Sequence, residues 1–353
     1  MAGGSDRRSV GDDRIPTRTT PMDSRPATAD HAADTRTDVP AGPAPVDDAA
    51  TPIDAGVGRE PVGFRRIVVG FDGSPGAVAA LAVALQLAAP GAAITVAGVA
   101  ILPTSASMAG VVGDLSFVRA DAERSLVAAR AALADHDDAE FVTPTALGVA
   151  TGLHDLAVAT GADLVVVGAS RHHGIGEVLA GSDAEATLHH APCAVLVGPA
   201  GDPPVVGRIG VAFDGLPAGR RALRAAGALA VGVHASLEVL AVLDTTHPHA
   251  MYGTVGGYGD PRPDARDLLR TEIAEVRGVL AVDPRLRSGD PAHEILELGR
   301  EVDLLVLGSR THGAVLRVLL GSVSSTVVRR ASCAVLVVPD REAVPGTAPP
   351  ALV

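Results

Sequence analysis

Arg66-Ile67-Val68-Val69-Gly70-Phe71-Asp72-Gly73 returns further along the chain as Arg208-Ile209-Gly210-Val211-Ala212-Phe213-Asp214-Gly215, at an offset of 214 − 72 = 142. Working outward, Asp163-Leu164-Val165-Val166-Val167-Gly168 returns as Asp303-Leu304-Leu305-Val306-Leu307-Gly308. Ala191-Pro192-Cys193-Ala194-Val195-Leu196-Val197 returns as Ala331-Ser332-Cys333-Ala334-Val335-Leu336-Val337, both at 308 − 168 = 140. Three blocks in one order at nearly one offset mean two duplicated domains, since a period this long is a domain rather than a short solenoid repeat. Each block is a continuous Val/Ile/Leu run instead of an alternating one, the mark of a parallel strand covered on both faces.

The elements between the blocks alternate between strand and helix. In the first repeat strands are expected at Ile67–Phe71, Ala93–Ala100, Phe141–Gly148, Leu164–Gly168 and Ala194–Gly198. Helices are expected from Asp-Gly-Ser-Pro to about Ala89, near Ala120–Ala134, after the third strand, and near Asp183–His190. The second repeat follows the same order. This alternation predicts an α/β fold: two tandem, doubly wound, five-stranded parallel sheets. The expected boundaries are 63–200 and 205–340, with Pro199 to Val206 as linker. Residues 1–62, proline-rich and without apolar periodicity, are expected to be disordered, as are 341–353, because such segments bury too little apolar surface to offset their ordering entropy.

Composition narrows the function. The 353 residues carry 29 basic and 41 acidic side chains, a net −12, which argues against a duplex-binding surface. Aromatics are 2% with no Trp, so stacking platforms for single-stranded nucleic acid are disfavoured and the cores must be built of Ala, Val and Leu. Every basic residue is Arg; without Lys there is no Walker-type phosphate-binding lysine, kinase lysine or Schiff base. The two cysteines, Cys193 and Cys333, lack metal or redox spacing and read as buried inert thiols. No apolar run reaches the ~20 residues that span a membrane, and the charged N-terminus lacks the apolar region of a secretory signal, so a cytoplasmic setting is expected.

Ligands of doubly wound sheets sit at strand carboxyl ends where the strand order reverses. Asp72 and Asp214 end the first strands. Gly168 and Gly308 end the fourth and open glycine-punctuated loops that run to Gly181-Ser182 and Gly321-Ser322, each at a helix start. Glycine admits a phosphate close to the backbone, and a helix N-terminus attracts it. The plain alternative is a turn glycine with Ser182 and Ser322 as N-caps. His172, His173 and His312 read as surface loop histidines, and Arg329 and Arg330 as side chains serving the last helix's C-terminus. The Gly-rich stretch Met251 to Asp260 either closes over a ligand or is mobile.

These features together resemble the universal stress protein family, which carries Gly-x-x-Gly, nine residues, then Gly-Ser/Thr after its fourth strand. The resemblance spans about 65–199 and 207–339 and includes Val-Gly-Phe-Asp-Gly-Ser at 69–74, Ser-Gly-Asp-Pro-Ala at 288–292 and Leu320-Gly-Ser-Val-Ser324. It implies an adenine nucleotide alpha hydrolase-like sandwich that binds ATP, with or without Mg2+. In the second repeat it puts Asp214 beside the nucleotide, the Val242 backbone on adenine, and Gly308, Gly321, Ser322, Val323 and Ser324 around the phosphates. Thr311 stands where the motif's second glycine belongs.

The first repeat departs further from the motif. Asp72, Val99, Gly168, Gly181 and Ser182 match, but Arg171 replaces the second glycine, and Asp183 and Ala184 replace Val323 and Ser324. Arg171 is either a phosphate ligand or a solvated loop arginine. Nucleotide is therefore expected mainly in the second repeat, in a stress-response sensor or regulator rather than an enzyme. The alternatives are a slow metal-dependent ATPase using Asp214 and an interaction module that has lost nucleotide binding. The resemblance also implies that the fifth strands, Ala194–Val197 and Ala334–Val338, face each other as an intramolecular pseudo-dimer, with a homodimer and a downstream protein partner as further expectations. Neither nucleic acid nor a membrane is an expected partner.

Overall fold

A computed structural model describes residues 62–102, 116–136, 138–169, 182–199, 201–246, 262–274, 276, 281–309 and 321–339. They belong to one compact unit, Val57–Val353. Apart from Val62, the two tails expected to be disordered fall outside the described residues.

The first repeat runs β1 (Phe64–Gly70), α1 (Pro75–Gln86), β2 (Ala88–Ala97), β3 (Ala100–Ile101), α2 (Ser116–Ala132), β4 (Glu140–Val142), β5 (Thr145–Ala146), α3 (Val149–Thr160), β6 (Leu164–Val167), α4 (Ser182–Leu188) and β7 (Ala194–Val197). The second runs β8 (Arg208–Ala212), α5 (Pro217–Val233), β9 (Ser236–Asp244), α6 (Arg262–Ile273), β10 (Val282–Gly289), α7 (Pro291–Gly299), β11 (Leu304–Ser309), α8 (Ser322–Arg330) and β12 (Ala334–Pro339).

Five strands of each repeat join one ten-stranded sheet in the order β10-β9-β8-β11-β12-β7-β6-β1-β2-β4. Every pairing is parallel except β7 with β12, which is antiparallel. Within a repeat the strands therefore lie 3-2-1-4-5, and the order reverses between the first and fourth. Pairing the fifth strands removes two exposed edges at once. The edges that remain are β4, three residues long, and β10, where Pro284 is tolerated because an edge strand has one unpaired side.

Two apolar layers sandwich the sheet. One holds α1, α2, α5 and α6 side chains such as Leu81, Leu126, Leu223 and Leu269; the other holds Leu153, Leu188, Leu298 and Val327 from α3, α4, α7 and α8. Both layers are continuous across the repeats.

Three expectations shift. Helix α1 ends at Gln86, short of Ala89, and β2 begins at Ala88 rather than Ala93. A register break between Phe64 and Arg66 on β1, opposite the Pro90-Gly91 turn where Gly91 has φ 73, lets the strand start early and bulge. The second strand stops at Ala97, and Ala100–Ile101 instead pairs with Thr145–Ala146 in a separate two-stranded sheet. The expected third strand is split at Thr143-Pro144, because Pro144 has no N–H to give a ladder.

The linker is held in place. The Gln86 side-chain amide donates to the Pro204 carbonyl at 2.9 Å and accepts from the Val206 N–H at 2.9 Å, and Val206 is buried in the core.

Candidate functional site

The switch point of each repeat brings the first-strand aspartate, the fourth-strand glycine and the start of the fourth-strand loop's helix to one end of the sheet. Asp72 Oδ1 accepts the Ser74 N–H at 2.9 Å, and Asp214 Oδ1 accepts the Leu216 N–H at 3.0 Å. Both carboxylates thus fix the turn that starts the next helix, which gives each a structural role whatever else it meets. Ser74 then caps α1 by accepting the Ala77 N–H at 3.2 Å, whereas Leu216 caps α5 without a side-chain bond.

The opening loop glycines are dictated by packing. A Cβ on Gly168 would lie 2.6 Å from the Ala77 nitrogen, and one on Gly308 would strike the Ala218 carbonyl. In both repeats the first turn of the helix after β1 or β8 presses on the carboxyl end of the fourth strand, so these positions require glycine with or without a ligand.

Gly321 is different. A Cβ there meets no described atom within 4 Å, and its φ of −74 and ψ of 171 suit any residue. Neither its backbone geometry nor any described neighbour explains this glycine. It is the N-cap of α8, and no side chain caps the helix. The expectation that Ser322 caps is corrected: Ser322 is the first helical residue, and its carbonyl accepts the Thr326 hydroxyl at 2.9 Å. Ser182 likewise is the first residue of α4 rather than its cap. Among the described residues the N–H groups of the first turn of α8 have no side-chain cap, and that turn, with Val323 and half-buried Ser324, carries no acidic residue.

The hydrogen-bond ladders make the two repeats equivalent. The Phe71 N–H donates to Ala97 O at 2.9 Å and Phe213 N–H to Leu240 O at 2.8 Å, which places Val99 and Val242 in matching positions two residues on. In the first repeat these residues border a cavity of about 640 Å³ whose lining includes Asp72, Val99, Gly168, Asp183 and Ala184. Asp183 is exposed and, with Glu185, makes the first turn of α4 acidic.

Arg171, Gly181 and Thr311 lie outside the described residues, as do His172, His173, His312 and the Met251–Asp260 stretch. Among the described residues no group of three or more His, Cys, Asp or Glu is placed to hold a metal ion. No helix among them is long and apolar enough to cross a membrane. Both cysteines are buried and neither is in a disulfide, and burial pushes the Cys333 thiol up to about 12, so it stays protonated and unreactive at neutral pH.

Several features had no signal in single residues. Arg329 does more than sit at a helix end: its guanidinium meets Glu185 Oε1 at 3.4 Å, joining α8 to α4 across the repeats. Asp121 and Arg124, which line the first cavity from α2 and pair at 2.8 Å, are an i,i+3 pair that reads from sequence as an ordinary solvated helix face. Under α7, Arg285 bridges Glu238 at 2.9 Å, Asp283 at 3.0 Å and Glu301 at 2.5 Å, and Arg287 bridges Glu294 and Glu301. One Glu238 oxygen is buried without a hydrogen bond of good geometry, although it lies within ion-pair distance of Arg285. Burial raises the Glu238 pKa against the lowering pull of Arg285, while the hydrogen bond from Arg285 lowers that of Glu301.

Comparison with known proteins agrees with the duplicated fold. The sequence model of the universal stress protein family matches twice, at residues 63–199 and 206–339. A universal stress protein of Thermus aquaticus is 36% identical over 139 residues, which is 36% of this chain and 95% of that protein. One from Mycobacterium tuberculosis strain H37Rv is 45% identical over 65 residues, 18% of this chain; the chain spans 22% of the length of that relative. The crystal structure of a universal stress protein from Archaeoglobus fulgidus superposes with a TM-score of 0.57 at 20% identity, covering 78% of this chain and 98% of that one, a likeness of fold.

Proposed function

The chain belongs to the universal stress protein family, and we propose that it is an ATP-binding sensor or regulator of the stress response, with the nucleotide held mainly by the second repeat. The observation that carries this is Gly321, a glycine that neither its backbone conformation nor any described neighbour demands, at the uncapped start of α8. A ligand phosphate lying against that backbone supplies the missing reason, since any Cβ would stand between them. In this arrangement the N–H groups at Ser322, Val323 and Ser324 and the two hydroxyls meet the phosphates. Gly308 stands at the carboxyl end of β11 beside them, the family motif assigns Thr311 to the phosphate loop, Asp214 lies beside the sugar, and the Val242 backbone meets the base. Mg2+ would ride on the phosphates of the bound nucleotide rather than on a ligand set of the protein's own.

In the first repeat the motif positions Asp72, Val99, Gly168, Arg171, Gly181 and Ser182 are kept or exchanged, but Asp183 puts a carboxylate at the helix start. Like charges ~4 Å apart weaken phosphate binding by roughly tenfold or more. The protein works by occupancy, not turnover, in a cytoplasmic setting that two cysteines outside any disulfide suit.

Titration calorimetry of the full chain with ATP tests this. One tight site is expected, lost in Gly321→Ala and kept in Gly181→Ala, with hydrolysis no faster than in Ser322→Ala. Two equal sites, or a site lost with Gly181→Ala alone, overturn it.

A further inference from the structure

We propose that the seam between α4 and α8 is a relay: negative charge arriving at the start of α8 changes the first turn of α4, in the other repeat, through Arg329 and Glu185. That the charge comes from nucleotide phosphates rests on the reading above; the relay itself needs only a filled helix start.

The two ends of α8 meet different surroundings. No side chain caps its start at Gly321, and its last turn carries Arg329 and Arg330. Nine residues at ~1.5 Å each make a short rod of roughly 13 Å, which moves as one body. At the far end of that rod from Ser322, the Arg329 guanidinium meets Glu185 Oε1 at 3.4 Å. Glu185 lies in the first turn of α4, next to Ala184, which lines the first repeat's cavity. One helix thus runs from the second repeat's switch point to the helix start at the first.

The first turn of α4 is placed to respond. The Thr187 hydroxyl donates to the Asp183 carbonyl at 2.6 Å, and the Thr187 carbonyl accepts His154 Nε2–H from α3 at 2.7 Å. The rear of α4 is therefore anchored to α3, while Glu185 is held from α8. Ala184 and Leu188 of α4 share one apolar layer with Val327 and Val328 of α8, so packing carries the same displacement.

The ion pair is not a by-product of the duplication. At the repeat offset, Arg329 corresponds to His189, since 329 − 140 = 189, and Glu185 to Ser325, since 185 + 140 = 325. A mirror image of the contact would set His189 against Ser325, which cannot form an ion pair. Both partners differ from their equivalents, and the link joins the end of α8 to the start of α4 without an ionic counterpart at those positions. Because both side chains are partly open to solvent, the coupling is limited to about fivefold.

Hydrogen exchange of the full chain, read by mass spectrometry on peptides covering residues 183–190, tests the relay. Saturating ATP should slow exchange there by about two- to fivefold in the wild type. Arg329→Gln should remove that slowing while calorimetry still shows ATP bound, and the swapped pair Glu185→Arg with Arg329→Glu should restore it. Ser322→Asp, which sets a carboxylate at the start of α8 without any nucleotide, should also slow residues 183–190, and only where Arg329 is present. Equal slowing with and without Arg329, or no response to Ser322→Asp, overturns the relay. Failure of the ATP reading looks different: ATP then gives no binding heat, or its effect survives Gly321→Ala, and the response to Ser322→Asp alone decides the relay.

Discussion

Leu196 and Leu336 lie directly opposite each other where β7 and β12 run antiparallel. They are also each other's repeat equivalents, since 336 − 196 = 140, the repeat offset of this block. Val195 instead faces Val337, and Val197 faces Val335, so the pseudo-twofold axis relating the two domains passes between the two leucines. Both are fully buried. Truncating either should therefore weaken the same seam. Leu336→Ala is expected to cost ~2–5 kcal/mol, and Leu196→Ala a similar amount. Urea unfolding checks this, and a large difference between the two would show that the seam is not symmetric.

Gly308 and Gly321 belong to one loop motif but answer to different constraints. Gly308→Ala drives a methyl into the Ala218 carbonyl and should lower the thermal midpoint markedly. Gly321→Ala, with no described atom within 4 Å of its Cβ, should leave the midpoint of ligand-free protein nearly unchanged while abolishing the upward shift that ATP produces. Differential scanning fluorimetry with and without ATP separates the two.

Gln86 fastens the linker by pairing its amide with Pro204 and Val206 at 2.9 Å each. Gln86→Ala leaves a carbonyl and a half-buried N–H without their partner, and should cost ~1–3 kcal/mol by denaturant titration. Gln86→Glu keeps the acceptor for Val206 but sets a carboxylate against the Pro204 carbonyl, so it should be no better than alanine at neutral pH.

The ion cluster under α7 predicts two pH dependences of opposite sign. Glu238 has a folded pKa raised above the ordinary 4.5, chiefly by burial, so its contribution favours the fold at low pH and is lost as pH rises through the raised value. Glu238→Gln should thus match wild type in acid and equal or exceed it at pH ~7. Glu301 has a lowered pKa, chiefly through its bond with Arg285, so its contribution is present at neutral pH and lost as pH falls below 4.5. Glu301→Gln should be less stable than wild type at neutral pH and converge with it in acid. Chemical denaturation across pH 3–8 reads both; a Glu238→Gln variant weakened at neutral pH would show that the pair with Arg285 outweighs burial.

The sequence alone determined the duplication, the parallel strands and the positions of the switch-point residues, because unbroken apolar runs and an exact order of repeated blocks are properties of the chain itself. Asp163 and Asp303 illustrate its limit. Each precedes the fourth strand and is plain in the repeat. Only folding shows the pair of N–H groups that each carboxylate accepts at the start of the first strand, from Arg65 and Arg66 at 2.8 and 2.9 Å and from Gly207 and Arg208 at 3.0 and 2.8 Å.

The tertiary structure alone decided which loop glycine is explained by packing and which is not, because that depends on how closely α1 and α5 approach the fourth strands. It likewise decided that Gln86 holds the linker, that Arg329 reaches Glu185, and that Asp121 and Arg124 line the cavity with Asp72 and Asp183. Each of these joins residues far apart in the chain, and local sequence carries no record of the partner that packing brings to them.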